Sequence, residues 1–346
     1  MLNILITGCS GFVGEELTKK LSKKNHRIIG LDKFKPPKDI TFTEKNNFFF
    51  EEIDLQNNKE KLDVIFKKYK PDIIIHCASK ILDTLNSKEV WNTNYYAAKD
   101  LMELSKKHNL KKFIFLSTFS IFQKSYDHPI DENEAPSYKT VYGETKYKTE
   151  NMILDSNFKG DICILRCPII LGKKRAYRFG VLFSMIKENF NVPLIGDCKN
   201  KLSFVHVIDV CNAVELFFQV SGNYIFNIAS DDSEEFQLIL QRLIKKVGSK
   251  SKLKFFNKKV GNFLFDITTF FRLIPYTSYH KKIFNCSIIL DTKKIKNILK
   301  WKPTYTNEEM FEENYLNFDK VENENLDSFS KKKAKEGLIK IIKHLI

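Results

Sequence analysis

Three glycines, spaced three residues apart, follow the first apolar run of the chain. Residues 7–14 read TGCSGFVG, and they connect a strand-like run to a helical pattern. Glycine loses more backbone freedom on folding than any other residue, so three of them at such a boundary need a geometric reason. A tight turn that lets the backbone and the free N–H groups of the next helix reach a phosphate is one such reason. An ordinary strand-to-helix turn is the alternative, and the rest of the chain has to decide between them.

Strand-like apolar runs alternate with helical patterns through the first half of the chain. Such alternation predicts a parallel sheet with helices on both faces, in which ligands bind at the carboxyl ends of the strands. We therefore expect an α/β fold, a Rossmann-like doubly wound parallel sheet with a smaller mixed α/β C-terminal lobe. The Rossmann domain is expected over residues 1–170 with further core elements around 204–230, the substrate lobe mainly over 171–318, and a tail over 319–346. The predicted strands are 2–6, 27–31, 48–53, 72–77, 112–117 and 162–167, and the predicted helices are 12–24, 60–69, 88–107 and 139–156.

A formal net charge of +15 over 346 residues raises the question of nucleic-acid binding. The lysines are spread along the whole chain, without arginine clusters or interleaved aromatic and basic residues that read bases, so no nucleic-acid partner is expected. The seven cysteines are odd in number and form no CxxC pair, which argues against a disulfide framework and a metal site and favours a reducing cytoplasm. No charged leader precedes an apolar run at the start, and no run approaches about 18 apolar residues. We therefore expect a cytoplasmic protein without a signal peptide or a membrane-spanning helix.

The C-terminal tail, residues 319–346, is basic and amphipathic. Its apolar residues Leu338, Ile341, Ile342 and Leu345 fall on one helical face beside a block of lysines. Packing of this face on the body of the protein or on a second subunit is the favoured interpretation, and weak contact with an anionic membrane surface is the alternative. The aromatic segment 263–274 is too short and too charged to span a bilayer, so a buried helix or a subunit contact is expected there.

Polar side chains stand at the predicted carboxyl ends of the strands, where a nucleotide would lie. Asp32 ends the second strand, a position at which a carboxylate accepts hydrogen bonds from an adenosine ribose and repels a 2′-phosphate. Asp32 therefore favours NAD over NADP, although Lys33 and Lys35 weaken the preference. Asp54 closes the third strand, and small residues at 77–79 close the fourth, as a strand that passes under a cofactor requires.

Tyr142 and Lys146 are the residues that point to catalysis. Positions i and i+4 share one face of a helix, so both side chains can project into one pocket, where an ammonium group stabilises a phenolate. The preceding strand ends in Ser117 and Thr118, whose hydroxyls can orient a substrate alcohol or carbonyl. A Tyr-x-x-x-Lys pair in so lysine-rich a chain is by itself more often a surface coincidence. Joined to the glycine turn, Asp32 and the hydroxyl-bearing strand in this order, it predicts an acid/base pair.

With these motifs the chain resembles the extended short-chain dehydrogenase/reductase family, in its NAD-dependent epimerase/dehydratase branch. The resemblance covers about residues 2–318. Asn94 lies in a stretch similar to the family's NxxGT helix, although Ala97 replaces the glycine. Residues 204–210, FVHVIDV, and residues 301–303, WKP, resemble two later family segments. The resemblance implies NAD as the cofactor, a small-molecule substrate, and a homodimer formed by two helices of the large domain.

The resemblance also implies a role for each position. Tyr142 would be the acid/base, Lys146 the cation that favours its ionised form, and Thr118 the hydroxyl that shares the substrate hydrogen bond, with Ser117 as the nearby alternative. The expected cofactor-binding residues are Gly8, Ser10, Gly11, Phe12, Val13, Gly14, Asp32, Asp54, Leu55, Cys77, Ala78, Ser79, Asn94, Tyr142, Lys146 and Pro168. Substrate contacts are expected from Lys80, Ser120, Arg175, Arg178, Lys201 and His206.

Three reactions share this machinery, and the sequence favours one of them. The family's 4,6-dehydratases carry two carboxylates directly after the catalytic threonine, where this chain has Phe119 and Ser120, so dehydration is not expected. An epimerase returns the hydride to the other face of a transient keto intermediate, whereas a dehydrogenase or reductase releases that intermediate. We expect an epimerase of a sugar, in particular a nucleotide sugar, that serves surface glycan biosynthesis.

Two alternatives stay open. Ile169 and Leu202 stand where nucleotide-sugar epimerases of the family often have Asn and Arg, so a dehydrogenase or reductase of a sugar or a hydroxysteroid-like alcohol, using NAD or NADP, is the first. A non-catalytic NAD-binding scaffold is the second, because a fold alone does not establish activity. The basic residues that can replace the missing polar groups at a diphosphate are Lys199, Lys201, Arg175 and Arg178.

Overall fold

The computed structural model of the protein describes residues 1–36, 47–81, 87–263 and 286–324, without the side chains of residues 176–178 and 319–324. The strands are β1 (Asn3–Thr7), β2 (Arg27–Asp32), β3 (Phe48–Glu52), β4 (Ile73–His76), β5 (Lys112–Thr118), β6 (Asp161–Cys167), β7 (Ile169–Leu171), β8 (Val192–Ile195), β9 (Phe204–His206), β10 (Asn223–Asn227) and β11 (Leu253–Phe256). The helices that build the core and the site are α1 (Phe12–Ser22), α2 (Lys59–Tyr69), α3 (Ser87–Trp91), α4 (Ala97–Lys107), α5 (Val141–Leu154), α6 (Gly180–Lys187), α7 (Val207–Phe217), α8 (Phe236–Lys246), α9 (Lys293–Leu299) and α10 (Asn307–Glu324).

The centre of the molecule is a sheet of seven parallel strands in the order β3-β2-β1-β4-β5-β6-β10. The strand order reverses between β1 and β4, so the loops after these two strands run to opposite sides and leave a crevice at the carboxyl edge. The glycine turn follows β1, and residues 77–80 follow β4, so both line this crevice. The predicted Rossmann-like, doubly wound α/β fold is confirmed.

Both faces of the sheet are covered because the strands alternate between two apolar cores. Ile4 and Ile6 belong to the core that contains residues of α1, α7 and α9. Leu5, between them, belongs to the core that contains residues of α2, α4 and the buried end of α5. Successive side chains of a strand point to opposite faces, so a continuous apolar run such as residues 4–6 is what a sheet buried on both faces requires.

A third apolar cluster lies mainly in the region that the sequence predicts as the substrate lobe, and this region is named the substrate side below. It combines residues of α6, α8 and α10 with the short strands β7, β8 and β9. Phe119, Ile121 and Tyr142 also belong to it, although they precede residue 170. The predicted domain boundary at residue 170 therefore stays a prediction, while β10 returns to the main sheet well after it.

Two predicted segments differ from the structure or fall outside it. The helix predicted over 88–107 is interrupted by a π-helical turn, Asn92–Tyr96, between α3 and α4. The aromatic segment from residue 264 onward and the tail beyond residue 324 lie outside the described residues. Among the helices that the structure describes, none is long and apolar enough to cross a membrane.

Candidate active site

The glycine turn is built so closely that side chains cannot replace Gly8 and Gly14. Gly8 has φ +69°, and a Cβ added there would meet the backbone nitrogen of Ala78 at 2.7 Å. A Cβ on Gly14 would lie 2.1 Å from the carbonyl oxygen of Gly8, so this glycine lets α1 pack directly on the end of β1. Gly11 caps α1 without a side-chain hydrogen bond, which leaves the N–H groups of the first helical turn to an anionic ligand. The turn therefore fits a dinucleotide pyrophosphate.

Asp32 stands beside this turn at the end of β2. Its Oδ2 accepts a hydrogen bond from the Ser10 N–H at 3.1 Å, and its Oδ1 accepts one from the Phe34 N–H at 3.0 Å. Burial raises the pKa of Asp32, and these N–H donors counteract that effect. The carboxylate is thus fixed at the place where a ribose would lie. Of the other two predicted residues near this edge, Asp54 is exposed and Leu55 is packed in the core.

Asn94 holds the loop after β4 against helix α5. Its amide oxygen accepts hydrogen bonds from the Ser79 hydroxyl at 3.2 Å and from the Lys80 N–H at 2.8 Å. Its amide nitrogen donates to the Lys80 carbonyl at 3.0 Å and to the Thr145 hydroxyl at 3.1 Å. These four bonds use the whole hydrogen-bonding capacity of the buried amide, so in this structure Asn94 positions the walls of the crevice. The π-helical turn is what aims it inward.

Helix α5 begins at the carboxyl end of β5 because of two local contacts. The Thr140 hydroxyl accepts a hydrogen bond from the Gly143 N–H at 3.2 Å and so caps the helix. A Cβ on Gly143 would lie 2.4 Å from the carbonyl oxygen of Ser120, so the first turn rests on the segment that follows Thr118. Tyr142, the second helical residue, is consequently held at this edge and is 7% exposed.

Lys146 lies one turn further along α5 and is 2% exposed. Its Nζ donates a hydrogen bond to the Leu116 carbonyl of β5 at 2.5 Å and lies 3.9 Å from the centroid of the Phe115 ring. Burial lowers the pKa of Lys146 to about 7, and the negative charge of Glu150 opposes that shift. The ammonium group is therefore fixed on β5, in a place where its charge depends on its neighbours.

The hydroxyls of Ser117 and Thr118 have different partners. Thr118 Oγ1 donates to Ser120 Oγ at 3.0 Å and accepts from the Ser120 N–H at 3.1 Å, at the very end of β5. The Ser117 hydroxyl donates to the carboxylate of Glu150, which is itself paired with Arg166 at 2.8 Å. Sequence reasoning missed this buried Glu150–Arg166 pair; the spacing of Glu150 four residues after Lys146 places the two side chains near each other on the helix but does not point to Arg166 on β6.

His76 is a buried neutral group beneath the crevice. Its Nδ1 lies 2.7 Å from the Thr7 hydroxyl, and its ring stacks on Phe115 with centroids 5.6 Å apart. Among the described residues, its Nε2 has no hydrogen-bond partner. Burial, together with the positive charge of Lys146, lowers the pKa of His76 to about 3.

A short segment of the substrate side rests on the first turn of α1. A Cβ on Gly172 would lie 3.1 Å from Cζ of Phe12, and the Arg175 guanidinium carbon lies 5.1 Å from the centroid of the Phe12 ring. Lys174 pairs with Glu15 in the same turn of the helix. Residues 172–175 are named the strap below. Arg175, predicted at the substrate, thus lies beside the glycine turn.

The remaining predicted substrate residues are spread over several places. His206 caps α7, pairs with Glu313 at 2.9 Å and stacks on Tyr305, so its polar atoms are engaged within the protein. Lys80 pairs with Glu89 at the rim of the crevice. Ser120 is hydrogen-bonded to Thr118, and Pro168 is buried between β6 and β7. Lys201 is exposed, and its backbone forms an isolated β-bridge with Glu235. The Arg178 side chain lies outside the described residues.

Comparisons with known proteins agree with this architecture. Residues 4–229 match the model of the NAD dependent epimerase/dehydratase family. The UDP-glucuronate 4-epimerase of Thermodesulfobacterium geofontis is 22% identical over 322 residues, which cover 88% of this chain and 92% of that protein.

Two solved structures with NAD share the fold. The UDP-glucuronic acid 4-epimerase of Bacillus cereus has a TM-score of 0.74 at 21% identity, covering 92% of this chain and 99% of that one. The dTDP-glucose 4,6-dehydratase of Bacillus anthracis has a TM-score of 0.74 at 20% identity, covering 93% and 98%. Because the family match spans more than half of its length, this chain belongs to the NAD dependent epimerase/dehydratase family, with NAD as its cofactor.

Proposed function

We propose that this protein is an epimerase that inverts a hydroxyl-bearing carbon of a nucleotide sugar through a transient ketone. The observation that carries the proposal is the position of Tyr142 and Lys146. They lie one helical turn apart at the carboxyl end of β5, beside Thr118. This end of the sheet also holds the glycine turn that fits a dinucleotide.

The residues that would hold NAD are those of the crevice. The N–H groups at the start of α1 suit its pyrophosphate, and Asp32 suits the hydroxyls of its adenosine ribose. The small residues 77–79 form the floor between the two strands at which the order reverses. The NAD held there would supply the acceptor and donor of a hydride for the substrate carbon.

The chemistry assigned to the chain is the movement of one proton. As a phenolate, Tyr142 accepts the proton of the substrate hydroxyl and later gives it back, while the Lys146 ammonium stabilises the phenolate. The Thr118 hydroxyl orients the same substrate oxygen. Ser117 is not assigned this role, because its hydroxyl donates to the buried Glu150 carboxylate.

Epimerisation is preferred to dehydration because of the segment after Thr118. Elimination of water requires an acid and a base close to the ketone. Phe119 is 1% exposed in the apolar cluster, and Ser120 carries a hydroxyl that is bonded to Thr118, so this segment supplies neither. A simple dehydrogenase or reductase is the second candidate, since it uses the same three side chains.

A nucleotide sugar is preferred as the substrate because the relatives named above act on sugars linked to UDP or dTDP. Ile169 and Leu202, which stand where polar groups were expected, are 5% and 1% exposed within the apolar cluster. The diphosphate contact is therefore assigned to the exposed basic residues Lys199 and Lys201 of the same side.

Incubation of the purified protein with a panel of UDP- and dTDP-sugars tests the reaction. The stereochemistry of the product and the absorbance of NADH are followed together. We expect an epimer without net NADH. Net NADH would indicate a dehydrogenase, a 4-keto-6-deoxy product would indicate a dehydratase, and no turnover of any sugar would overturn the proposal.

Three further properties of the protein belong to the same proposal. A homodimer through α4 and α5 is expected, and light scattering of the eluted protein measures it.

A role in surface glycan assembly in the cytoplasm is expected, and glycan analysis of a deletion strain tests it. Contact of the tail with anionic lipid is tested by vesicle sedimentation of the full chain and of a chain that ends at residue 324, and equal binding would exclude the tail.

A further inference from the structure

Glu150 is a buried carboxylate one helical turn beyond Lys146. Helix α5 places Tyr142, Lys146 and Glu150 at positions i, i+4 and i+8, hence along one face. Lys146 Nζ donates to the Leu116 carbonyl, and the Ser117 hydroxyl of the next residue donates to Glu150. The two side chains therefore bind consecutive residues of β5, and the negative charge of Glu150 acts on the ammonium group of Lys146.

Glu150 is also held by a forked contact from the neighbouring strand. Arg166 Nη2 donates to Oε2 of Glu150 at 2.8 Å, and Arg166 Nε lies 3.3 and 3.2 Å from its two oxygens. The side chains are 1% exposed for Glu150 and 5% exposed for Arg166. A buried ion pair of this kind is often no more stabilising than apolar residues of the same volume. Stability alone therefore does not account for charges at this place.

We propose that Glu150, oriented by Ser117 and Arg166, is a positioning residue that keeps Lys146 in the ammonium form in which it acts on Tyr142. This inference rests on the proposed function, in which Lys146 is the partner of Tyr142. It adds to the Tyr-x-x-x-Lys motif a buried carboxylate, itself paired with Arg166, whose negative charge favours the ammonium form of the lysine.

The other groups around Lys146 do not supply this negative charge. Burial raises the pKa of the Cys77 thiol, beyond the end of β4, and of the Cys167 thiol, at the end of β6, so both are neutral near pH 7. His76, on β4, is neutral as well, since its pKa is lowered to about 3. Arg166 carries a positive charge, and its relation to Lys146 is by way of its ion pair with Glu150.

The test replaces the buried pair by a neutral one, Glu150→Gln with Arg166→Gln, and measures kcat/KM against pH. Without the carboxylate, Lys146 should lose its proton at lower pH, so the basic limb should move down by at least about half a pH unit, and kcat/KM measured on that limb should fall by about threefold or more. The matched control is Lys112→Met with Asp161→Asn, which removes an ion pair of 2.7 Å at the other end of the same two strands. Its basic limb should stay in place.

If kcat/KM falls but the basic limb of its pH profile does not move, the proposal is overturned, because the loss of a merely structural ion pair lowers kcat/KM without shifting the profile. If the double variant does not fold, Glu150→Asp replaces it: the charge stays but its reach to Ser117 and Arg166 shortens, so a smaller shift in the same direction is expected. An unmoved limb in that variant would overturn the proposal as well.

A second readout separates this proposal from the proposed function. For each protein, the free energy of unfolding is measured against pH, and the value for its Lys146→Met derivative is subtracted. The difference reports the protonation of Lys146 and requires no turnover. This difference should start to rise at a lower pH when Glu150 and Arg166 are both Gln. If this difference begins to rise at the same pH with and without the two substitutions, the proposed role of Glu150 is overturned. If the pH is shifted but the unmodified protein turns over no sugar, only the proposed epimerase activity is overturned.

Discussion

Tyr142 connects the substrate side of the molecule to the sheet. Its ring belongs to the apolar cluster of α6, α8 and α10, while its helix is capped by Thr140 at the end of β5. A phenol in this position is shielded from bulk water, so a proton that it gives or takes is exchanged with the ligand. At the residue scale, then, the proposed chemistry depends on the hydroxyls of Tyr142 and Thr118 and on one ammonium group.

Replacement of Tyr142 by Phe removes that hydroxyl and keeps the ring. We expect kcat to fall by about 10²–10⁴-fold, because a positioned acid/base contributes about that much. NAD binding, measured by fluorescence titration, should change little. Tyr147→Phe is the matched control on the same helix, where the ring packs on Tyr138, and it should keep its turnover. Equal activity of the two variants would mean that Tyr142 is not the acid/base.

The charge of Lys146 predicts a pH dependence of stability. Its pKa is about 7 in the folded protein and near the ordinary value of 10.5 in the unfolded chain. Between these values the unfolded chain binds more protons, so the contribution of Lys146 to stability rises with pH, and below pH 7 the full cost of burying the charge is present. Compared with Lys146→Met in urea denaturation, the parent should gain about 1–3 kcal/mol between pH 7 and 9.5. A constant difference would contradict the lowered pKa.

At the scale of elements, the start of α5 decides whether the two catalytic side chains meet β5. Thr140 Oγ1 accepts from the Gly143 N–H and from Nε2 of Gln123 at 3.0 Å, so one hydroxyl joins the incoming loop to the helix. The sequence predicted this helix over 139–156, close to the observed Val141–Leu154. The cap itself is a local contact between Thr140 and Gly143, but the bond from Gln123 joins residues 17 apart in the chain, and local sequence patterns do not encode it.

Thr140→Ala should therefore affect stability and catalysis together. Loss of an N-cap costs about 1 kcal/mol, and the first turn that carries Tyr142 should loosen. We expect kcat to fall more than NAD affinity, because the glycine turn lies on another strand. Thr140→Ser keeps the oxygen and should restore both properties. Denaturant titration and steady-state kinetics of the two variants measure this, and a Ser variant as impaired as the Ala variant would argue against the cap.

Sequence reasoning located the strands and the motifs but not the partners of the polar side chains. Alternation along β5 places Ser117 and Thr118 on different sides, yet only the fold shows that Glu150 accepts the Ser117 hydroxyl. Asn94 and His206 were expected to touch ligands, whereas their bonds within the protein arise from a π-helical turn and from a helix cap. Such contacts join residues far apart in the chain, and local patterns do not encode them.

At the scale of the whole molecule, the C-terminal part of the described chain is fastened to the sheet through Asp209. The Thr304 N–H donates to both oxygens of this carboxylate at 3.1 and 3.0 Å, and the Thr304 hydroxyl donates to Oδ1 at 2.6 Å. Trp301 Nε1 donates to the Asp209 carbonyl at 2.9 Å. Helix α10, which follows, covers the substrate-side cluster, so this junction connects two of the three cores.

Asp209→Ala should weaken the molecule as a whole. The buried hydrogen bonds to a charged acceptor predict a loss of about 2–3 kcal/mol in the free energy of unfolding. NAD affinity at low temperature should hardly change, since Asp209 lies outside the crevice. Asp231→Ala, which removes an exposed partner of Lys296, is the control and should cost little. A loss of NAD affinity without a loss of stability would contradict this assignment.

The strap that rests on Phe12 and Glu15 has a consequence for how long the coenzyme stays. A dinucleotide bound at the first turn of α1 would lie next to the strap. The strap has to separate from that turn before the crevice can open widely. We expect the protein to be purified with NAD already in place, and acid-released nucleotide should be close to stoichiometric. Arg175→Ala should lower that content, and unchanged content would contradict it. Such an enzyme keeps its oxidant from one turnover to the next, so its output follows the fraction of loaded molecules rather than the cell's free coenzyme pool.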